Sequence, residues 1–413
     1  MAERGLFRRE KGEGMALGAL IGAYQEDDAG GLRALLPLAG HTLFEYQARC
    51  AAAAGAAPIV VLVERMPPAL NAAIERLRAE QVVVTAVSDG VEAASRFEAG
   101  SDVLLLADGV AADMTDLARV AGAEGPLILT VVDDEAHAGF ERIDSERRWA
   151  GVARIDANLL GATAAMLGDW DLQSTLLRRA IQAGVPLAAA ASGAGAGPLL
   201  AEDEASLANF ERRLLVASRG ARDDWVAKYI LPLFEEAATE RLMETGVRPQ
   251  WLAGGGVALT LLAAFAFTRG WLWPALGLLI LSLPLDLVAR RLAILRLRPL
   301  PTHALSLSLL WPAAGLALAA LGWFVARHDG GSWGACLAAL TAAAFAEAGR
   351  IERRSLQLGA GRWLFSRRAA IVAALPFAFA NAWTLYLALL ALYAAVSFFL
   401  VQHVRHRDSG APG

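Results

Sequence analysis

The chain has 413 residues, 56% of them hydrophobic and 19% charged, with a formal net charge of -4. That length allows two or three domains, and the composition excludes a disordered chain and a basic nucleic-acid-binding one. The charge is unevenly spread: from Pro249 onward 14 arginines meet five acids, a net +9, whereas residues 1–248 carry the other 24 basic and 37 acidic residues, a net -13. An acidic first half joined to a basic, apolar second half reads as a cytoplasmic domain on a membrane domain.

The N-terminal tail, residues 1–14, holds Arg4, Arg8, Arg9, Glu10 and Lys11 and leads into a short apolar run with no signal-peptide cleavage pattern. Met15–Ala23 reads as a buried strand, followed by a loop rich in glycine and acids, Tyr24 to Arg33, that includes Glu26, Asp27 and Asp28. Thr42–Ala54 has helical spacing, Pro58–Val63 is a continuous apolar run, and Ala69–Glu80 is again helical. Val82–Val87 reads as a strand and Gly90–Ala99 as a helix; Asp102–Gly109 is a strand ending on an acidic turn at Asp108. Leu127–Val132 is another strand, closed by Asp133 and Asp134, and Leu172–Ala183 and Ala205–Ser218 are helices. Strands alternating with helices argue an α/β domain with a mostly parallel sheet over residues 15–218. The low-complexity stretch Ala189–Gly197 lacks a strand-then-helix context and reads as a flexible loop. Cys50 and Cys336 lie in different halves, so no disulfide or metal pair is expected.

Leu35-Leu-Pro-Leu-Ala-Gly40, then Leu43-Phe-Glu-Tyr-Gln47 and Gly55-Ala-Ala-Pro-Ile-Val-Val, resemble the opening of a sugar-phosphate nucleotidyltransferase of GT-A fold. The resemblance implies a metal-binding aspartate at Asp108, a phosphate-contacting basic residue at Arg33, and a later metal carboxylate near Glu202 or Asp203. An active enzyme of this kind would use Mg2+. The departures are chemical: Glu26, Asp27 and Asp28 occupy the loop that would have to cradle a triphosphate. Arg33 stands where the family has lysine.

Residues 219–248 read as a linker and an interfacial helix, since Asp224–Met243 mixes aromatics, charges and apolar residues; a plain linker helix is the competing reading. From Trp251 apolar segments succeed each other at Trp251–Thr268, Trp271–Ala289, Ala304–Ala326, Trp333–Ala348, Ala369–Asn381 and Ala382–Val401, giving a six-span membrane domain over residues 249–403 and a C-terminal tail, 404–413. With the first domain inside, loops that should be cytoplasmic hold twelve arginines and external ones only Arg269 and Arg327. This bias places both termini on the cytoplasmic face of a bacterial-type inner membrane.

Asp286, at the end of the second apolar segment, is the only carboxylate between Thr245 and His328. A carboxylate near membrane depth is a functional candidate by default. Tyr229-Ile-Leu-Pro-Leu and Val247-Arg-Pro-Gln250 resemble the entry to the first span of CDP-alcohol phosphotransferases, and Asp286 falls where that family's catalytic motif begins. The whole chain then resembles bifunctional inositol-1-phosphate cytidylyltransferase and CDP-inositol phosphotransferase fusions. The motif, Asp-x-x-Asp-Gly-x-x-Ala-Arg followed by Gly-x-x-x-Asp-x-x-x-Asp, uses four carboxylates to hold two divalent metals. Here its second aspartate and glycine fall on Ala289 and Arg290, its arginine falls on Ile294, and its second half has no acid.

The sequence therefore predicts an α/β GT-A-like nucleotidyltransferase domain plus an all-α six-helix transmembrane domain, both catalytically eroded. The expected role is non-catalytic binding or scaffolding in phospholipid head-group metabolism, with membrane lipids as partners. Homodimerisation through the membrane domain is implied by the resemblance alone. For Asp286 the expected partner is Arg290, one helical turn on, or another arginine at the same boundary; a second reading gives lipid phosphate to Arg290 and Arg291, oriented by Asp286. The rivals are an active divergent enzyme of either kind and a transporter, the latter resting on Asp286 alone.

Overall fold

The structure is a computed structural model describing residues 16–167, 171–191, 197–218, 224–243, 245, 247–297, 305–328, 333–353 and 363–409. The N-terminal tail, residues 410–413 of the C-terminal tail, most of the low-complexity stretch 189–197 and the loop around Gly330 lie outside the described residues; residues 404–409, expected as tail, continue the last helix. The chain forms two compact units that divide at Ser218/Arg219.

The first unit is built on a seven-stranded sheet. Its strands are β1 (Leu17–Gly22), β2 (Ile59–Leu62), β3 (Val84–Val87), β4 (Asp102–Leu106), β5 (Leu127–Val132), β6 (Arg147–Asp156) and β7 (Leu187–Ala189), in spatial order β7-β5-β6-β4-β1-β2-β3. β1 runs parallel to β2 and β4, as their uninterrupted apolar character anticipates, because a strand covered on both faces has no polar side to show. β6 is antiparallel to both neighbours. Sequence pattern did not reveal this strand, because its apolar residues are interrupted by Arg147, Arg148 and Arg154. Arg154 is nonetheless buried: its Nε donates to Asp102 Oδ2 at 2.8 Å and its Nη1 to the Ala121 carbonyl at 2.8 Å. The register shifts between the β5–β6 pairs Ile128–Ala153 and Thr130–Trp149, and Gly151 lies there at φ +75°, where an added Cβ would stand 2.3 Å from Val110.

Helices α1 (Leu43–Ala53), α2 (Pro68–Ala79), α3 (Gly90–Ser95), α4 (Met114–Ala121), α5 (Ala157–Ala164), α6 (Leu172–Gln182) and α7 (Glu204–Ala217) accompany the sheet. Most begin on a side-chain cap. Thr42 and Glu45 form a capping box on α1, and Asp171 accepts from Ser174 at the start of α6.

The second unit is helical. After α8 (Trp225–Tyr229) and α9 (Pro232–Met243), in place of one continuous interfacial helix, come α10 (Pro249–Thr268), α11 (Leu272–Ser282), α12 (Leu285–Leu295), α13 (Leu305–His328), α14 (Gly334–Arg353), α15 (Arg367–Phe379) and α16 (Trp383–Ser409). Among the described residues five helical stretches are long and apolar enough to cross a membrane: Pro249–Thr268, Leu272–Leu295, Ser308–His328, Gly334–Glu352 and Trp383–His406. The unit is thus a multi-pass membrane domain. The sixth expected span, Ala369–Asn381, falls within and just after α15, whose 13 residues rise only about 20 Å against a hydrocarbon core of about 30 Å. The second stretch, Leu272–Leu295, is interrupted at Leu283-Pro284, where proline supplies no N–H. α13 and α14 cross closely because Gly322 has no side chain; a Cβ there would lie 2.7 Å from that of Ala339.

Candidate functional site

In the first unit the sequence candidates gather where β4 ends. Asp108, 2% exposed, accepts from the backbone N–H groups of Tyr24 (2.5 Å) and Gln25 (2.6 Å) through Oδ2. Its Oδ1 is buried with no hydrogen-bond partner among the described residues. Burial pushes the Asp108 carboxyl above the usual carboxylate range; the two amides and the nearby Arg33 pull the other way without overcoming it. Gly109, at φ +72°, closes the turn; a Cβ there would stand 3.1 Å from Arg33.

Arg33 folds back on the loop. Its Nε donates to the Glu26 carbonyl at 2.9 Å and its Nη1 to Gln25 Oε1 at 3.3 Å. Glu26 pairs with Arg65 at 2.6 Å, while Asp27 accepts from the N–H groups of Ala29 and Gly31. Tyr24 reaches Asp171 Oδ1 through its hydroxyl at 2.7 Å, and burial followed by the charge of Asp171 raises its pKa. The loop is therefore tied down by its own acids and by Asp108. Asp203 caps α7 through the Ser206 N–H, and Asp133 takes Arg148 and Arg142.

In the second unit the break at Pro284 starts a new helix, and Asp286 lies in its first turn, where the helix dipole favours a carboxylate. Asp286 is 7% exposed and its Oδ2 pairs with Arg368 Nη2. The other arm of Arg368, Nη1, reaches Asp224 Oδ2 at 2.6 Å, and Asp224 Oδ1 caps α8 through the Ala227 N–H. Of the two pairings expected for Asp286, the structure gives an arginine from another segment and not Arg290, which is exposed on α12.

Arg291 is buried against Glu235, Nη1 to Oε1 at 3.3 Å. Arg367, beside Arg368 and 8% exposed, donates to Thr260 Oγ1 (3.1 Å), Ser282 Oγ (3.3 Å) and the Ser282 carbonyl (3.3 Å). Asp224, Glu235, Arg367 and Arg368 were visible in the sequence only as an interfacial-helix acid pair and as positive-inside arginines. The signal that could have singled out the arginines is Ser366 ahead of them, which caps α15 and aims its first turn at the bundle interior.

A two-metal site needs several carboxylates converging on one point. Among the described residues no group of three or more His, Cys, Asp or Glu is placed to hold a metal ion. The residues at Asp108 and at Asp286 do not fit the Mg2+ that either family resemblance implies. At Asp108 one oxygen is engaged by two amides and, among the described residues, no cluster of further ligands surrounds the free one; at Asp286 the partner is the cation Arg368.

No protein-family model matches the chain, and no curated protein matches it. Among solved structures, it is similar to the phosphatidylinositol phosphate synthase of Mycobacterium tuberculosis with CDP-DAG bound, at 16% sequence identity and a TM-score of 0.36, covering 41% of this chain and 92% of that one.

Proposed function

We propose that the protein is a non-catalytic, multi-pass membrane protein of phospholipid head-group metabolism, made of a GT-A-like nucleotidyltransferase domain and a CDP-alcohol phosphotransferase-like membrane domain. The mostly parallel seven-stranded sheet supports the first half of that reading, and the apolar helices carrying Asp286 support the second. The observation that carries the loss of catalysis is the surroundings of Asp286. The sole carboxylate between Thr245 and His328 is bound to Arg368, whose other arm holds Asp224. A guanidinium stands where a phosphotransferase would need cations, and two like charges repel. The acidic, self-bonded loop before Arg33 supports the same reading for the first domain. With α15 counted as a sixth, short span, both termini face the cytoplasm at the inner membrane.

The test is direct. The full chain, purified and reconstituted in lipid, is incubated with Mg2+, CTP and inositol phosphate, and separately with Mg2+, CDP-diacylglycerol and inositol phosphate. Neither pyrophosphate nor CMP should be released above a no-protein control. Turnover that disappears in Asp108→Ala or in Asp286→Asn would restore an active enzyme and overturn the proposal.

A further inference from the structure

α7 is the last helix of the first unit, and the chain passes from it into the membrane unit at Arg219. Its inner side is held by Leu207 and Phe210, both buried, with the Phe210 ring edge-on to Tyr46 at 6.0 Å. After Phe210 no residue of the helix is buried. The outer side shows Ala205, Ala208, Asn209, Arg212, Arg213 and Val216, the last 52% exposed. No exposed acid stands between Ala205 and Ala217, in a half of the chain whose net charge is -13.

The charges of α7 are sorted by end along its length of about 21 Å. Glu202, Asp203 and Glu204 are exposed at its start, where Asp203 caps the helix and negative charge suits the helix dipole. The two arginines have no such local explanation. They precede the last turn, which holds no basic residue, so they do not complement the terminal carbonyls. Among the described residues neither makes an ion pair or a hydrogen bond. Two unengaged guanidinium groups on a face of small, weakly polar side chains suit a broad anionic surface, which the alanines let the helix approach closely. The chain sets where that surface lies. Ala217 is seven residues before Asp224, which is tied to Arg368 of the membrane unit, so the basic end stands within about 25 Å of that anchored residue. An anionic leaflet repels the rest of an acidic domain and attracts this end.

We propose that the outer face of α7 docks on the anionic surface of the membrane, with Arg212 and Arg213 on head-group phosphates and Val216 among the head groups. The first unit is thereby held to the lipid surface by its one basic, acid-free helix end. The partner is the bilayer surface as a whole, and no lipid is bound within the helical bundle or converted there. The inference rests on the functional reading above only for the membrane setting of the second unit.

The experiment compares two lipid surfaces. The full chain is placed in nanodiscs of phosphatidylcholine alone or with phosphatidylglycerol of the same chain length, and amide hydrogen exchange is followed over residues 211–217. We expect exchange there to be about twenty-fivefold slower on the anionic discs, about fivefold for each arginine near an anionic surface. The difference should vanish in about 1 M salt, where the screening length falls to about 3 Å. Arg212→Gln and Arg213→Gln should each remove about fivefold of the protection and the double variant all of it. Both arginines are exposed, so the variants should keep the wild-type melting transition and the exchange pattern of the sheet. Equal exchange on the two kinds of disc would mean that a protein surface or nothing covers this face, and would overturn the proposal. Protection that survives salt, or that persists in the double variant, would overturn it as well. Transferase activity, by contrast, would refute the non-catalytic reading and leave the exchange difference unchanged.

Discussion

Arg368→Met tests the ion cluster on which the reading of the membrane unit turns. Arg368 holds Asp224 at 2.6 Å with one arm and Asp286 with the other, and its side chain is 14% exposed against 4% and 10% for the two aspartates. Removing one partner of a buried pair costs about 3–5 kcal/mol, because the remaining charge stays desolvated. Here two carboxylates lose the same cation, so the loss should reach the upper part of that range. Asp286→Asn is milder. Arg368 keeps Asp224, the amide oxygen still accepts, and we expect roughly 1–3 kcal/mol, the worth of a charged hydrogen bond. The double variant, Asp286→Asn with Arg368→Met, should then fall short of the summed single losses by about 1–3 kcal/mol, as contacting residues do. Unfolding of the detergent-solubilised chain followed by tryptophan fluorescence is a suitable assay, because Trp225, next to Asp224, stacks on Trp363 with ring centroids 6.5 Å apart. Additive single losses, or an Arg368→Met loss below about 1 kcal/mol, would show that the cluster is hydrated and structurally idle, and the reasoning would fail.

Other expectations follow from the first unit and from topology. Asp108→Ala leaves the Tyr24 and Gln25 amides without their acceptor and should destabilise the chain by about 2–3 kcal/mol, whereas Asp108→Asn keeps an acceptor oxygen and should lie within about 1 kcal/mol of wild type; equal losses in chemical denaturation would contradict the latch geometry. Because burial raises the Asp108 carboxyl, its folded form holds a proton more tightly than its unfolded form; the associated stability is present in acid and is lost as pH rises through the raised pKa. His41 runs the other way. Burial, and then the charge of Arg49, lower it from 6.5 to about 4, so the unfolded state binds the extra proton between those values and stability falls as pH drops across them. The fall should amount to about 3 kcal/mol at most, and His41→Asn should flatten it; an unchanged pH profile in that variant would remove His41 from the account. For topology, reporter fusions at Gly330 and Gly413 should report opposite sides of the membrane if α15 crosses; a shared side would leave the five long helices as the whole span set.

Periodicity alone determined much of this protein: the strands Pro58–Val63 and Leu127–Val132, the helix capped by Thr42, the long apolar helices, and the division between an acidic and a basic half. Those signals are local, since burial on both faces writes an apolar run and a helix end writes a cap. β6 escaped because its buried Arg154 is neutralised across the sheet by Asp102, and a compensating charge on a distant strand leaves no local trace. The sequence also identified Asp286 and the shortage of carboxylates around it, because an acid in an apolar segment is conspicuous wherever it pairs. Which arginine it meets was a question only the tertiary structure could decide. Arg290, one turn away, and Arg368, 82 residues away, are equally basic, but the helix ends at Leu283-Pro284 and Ser366 bring the second to the carboxylate and leave the first exposed. The partners of two further arginines are likewise set by the packing: Arg33, for which the resemblance implied a phosphate contact, donates to the Glu26 carbonyl, and Arg367, which counted only as a cytoplasmic charge, lies against a cavity formed by six helices. A side chain's type is a property of the sequence; its counter-ion is a property of the packing.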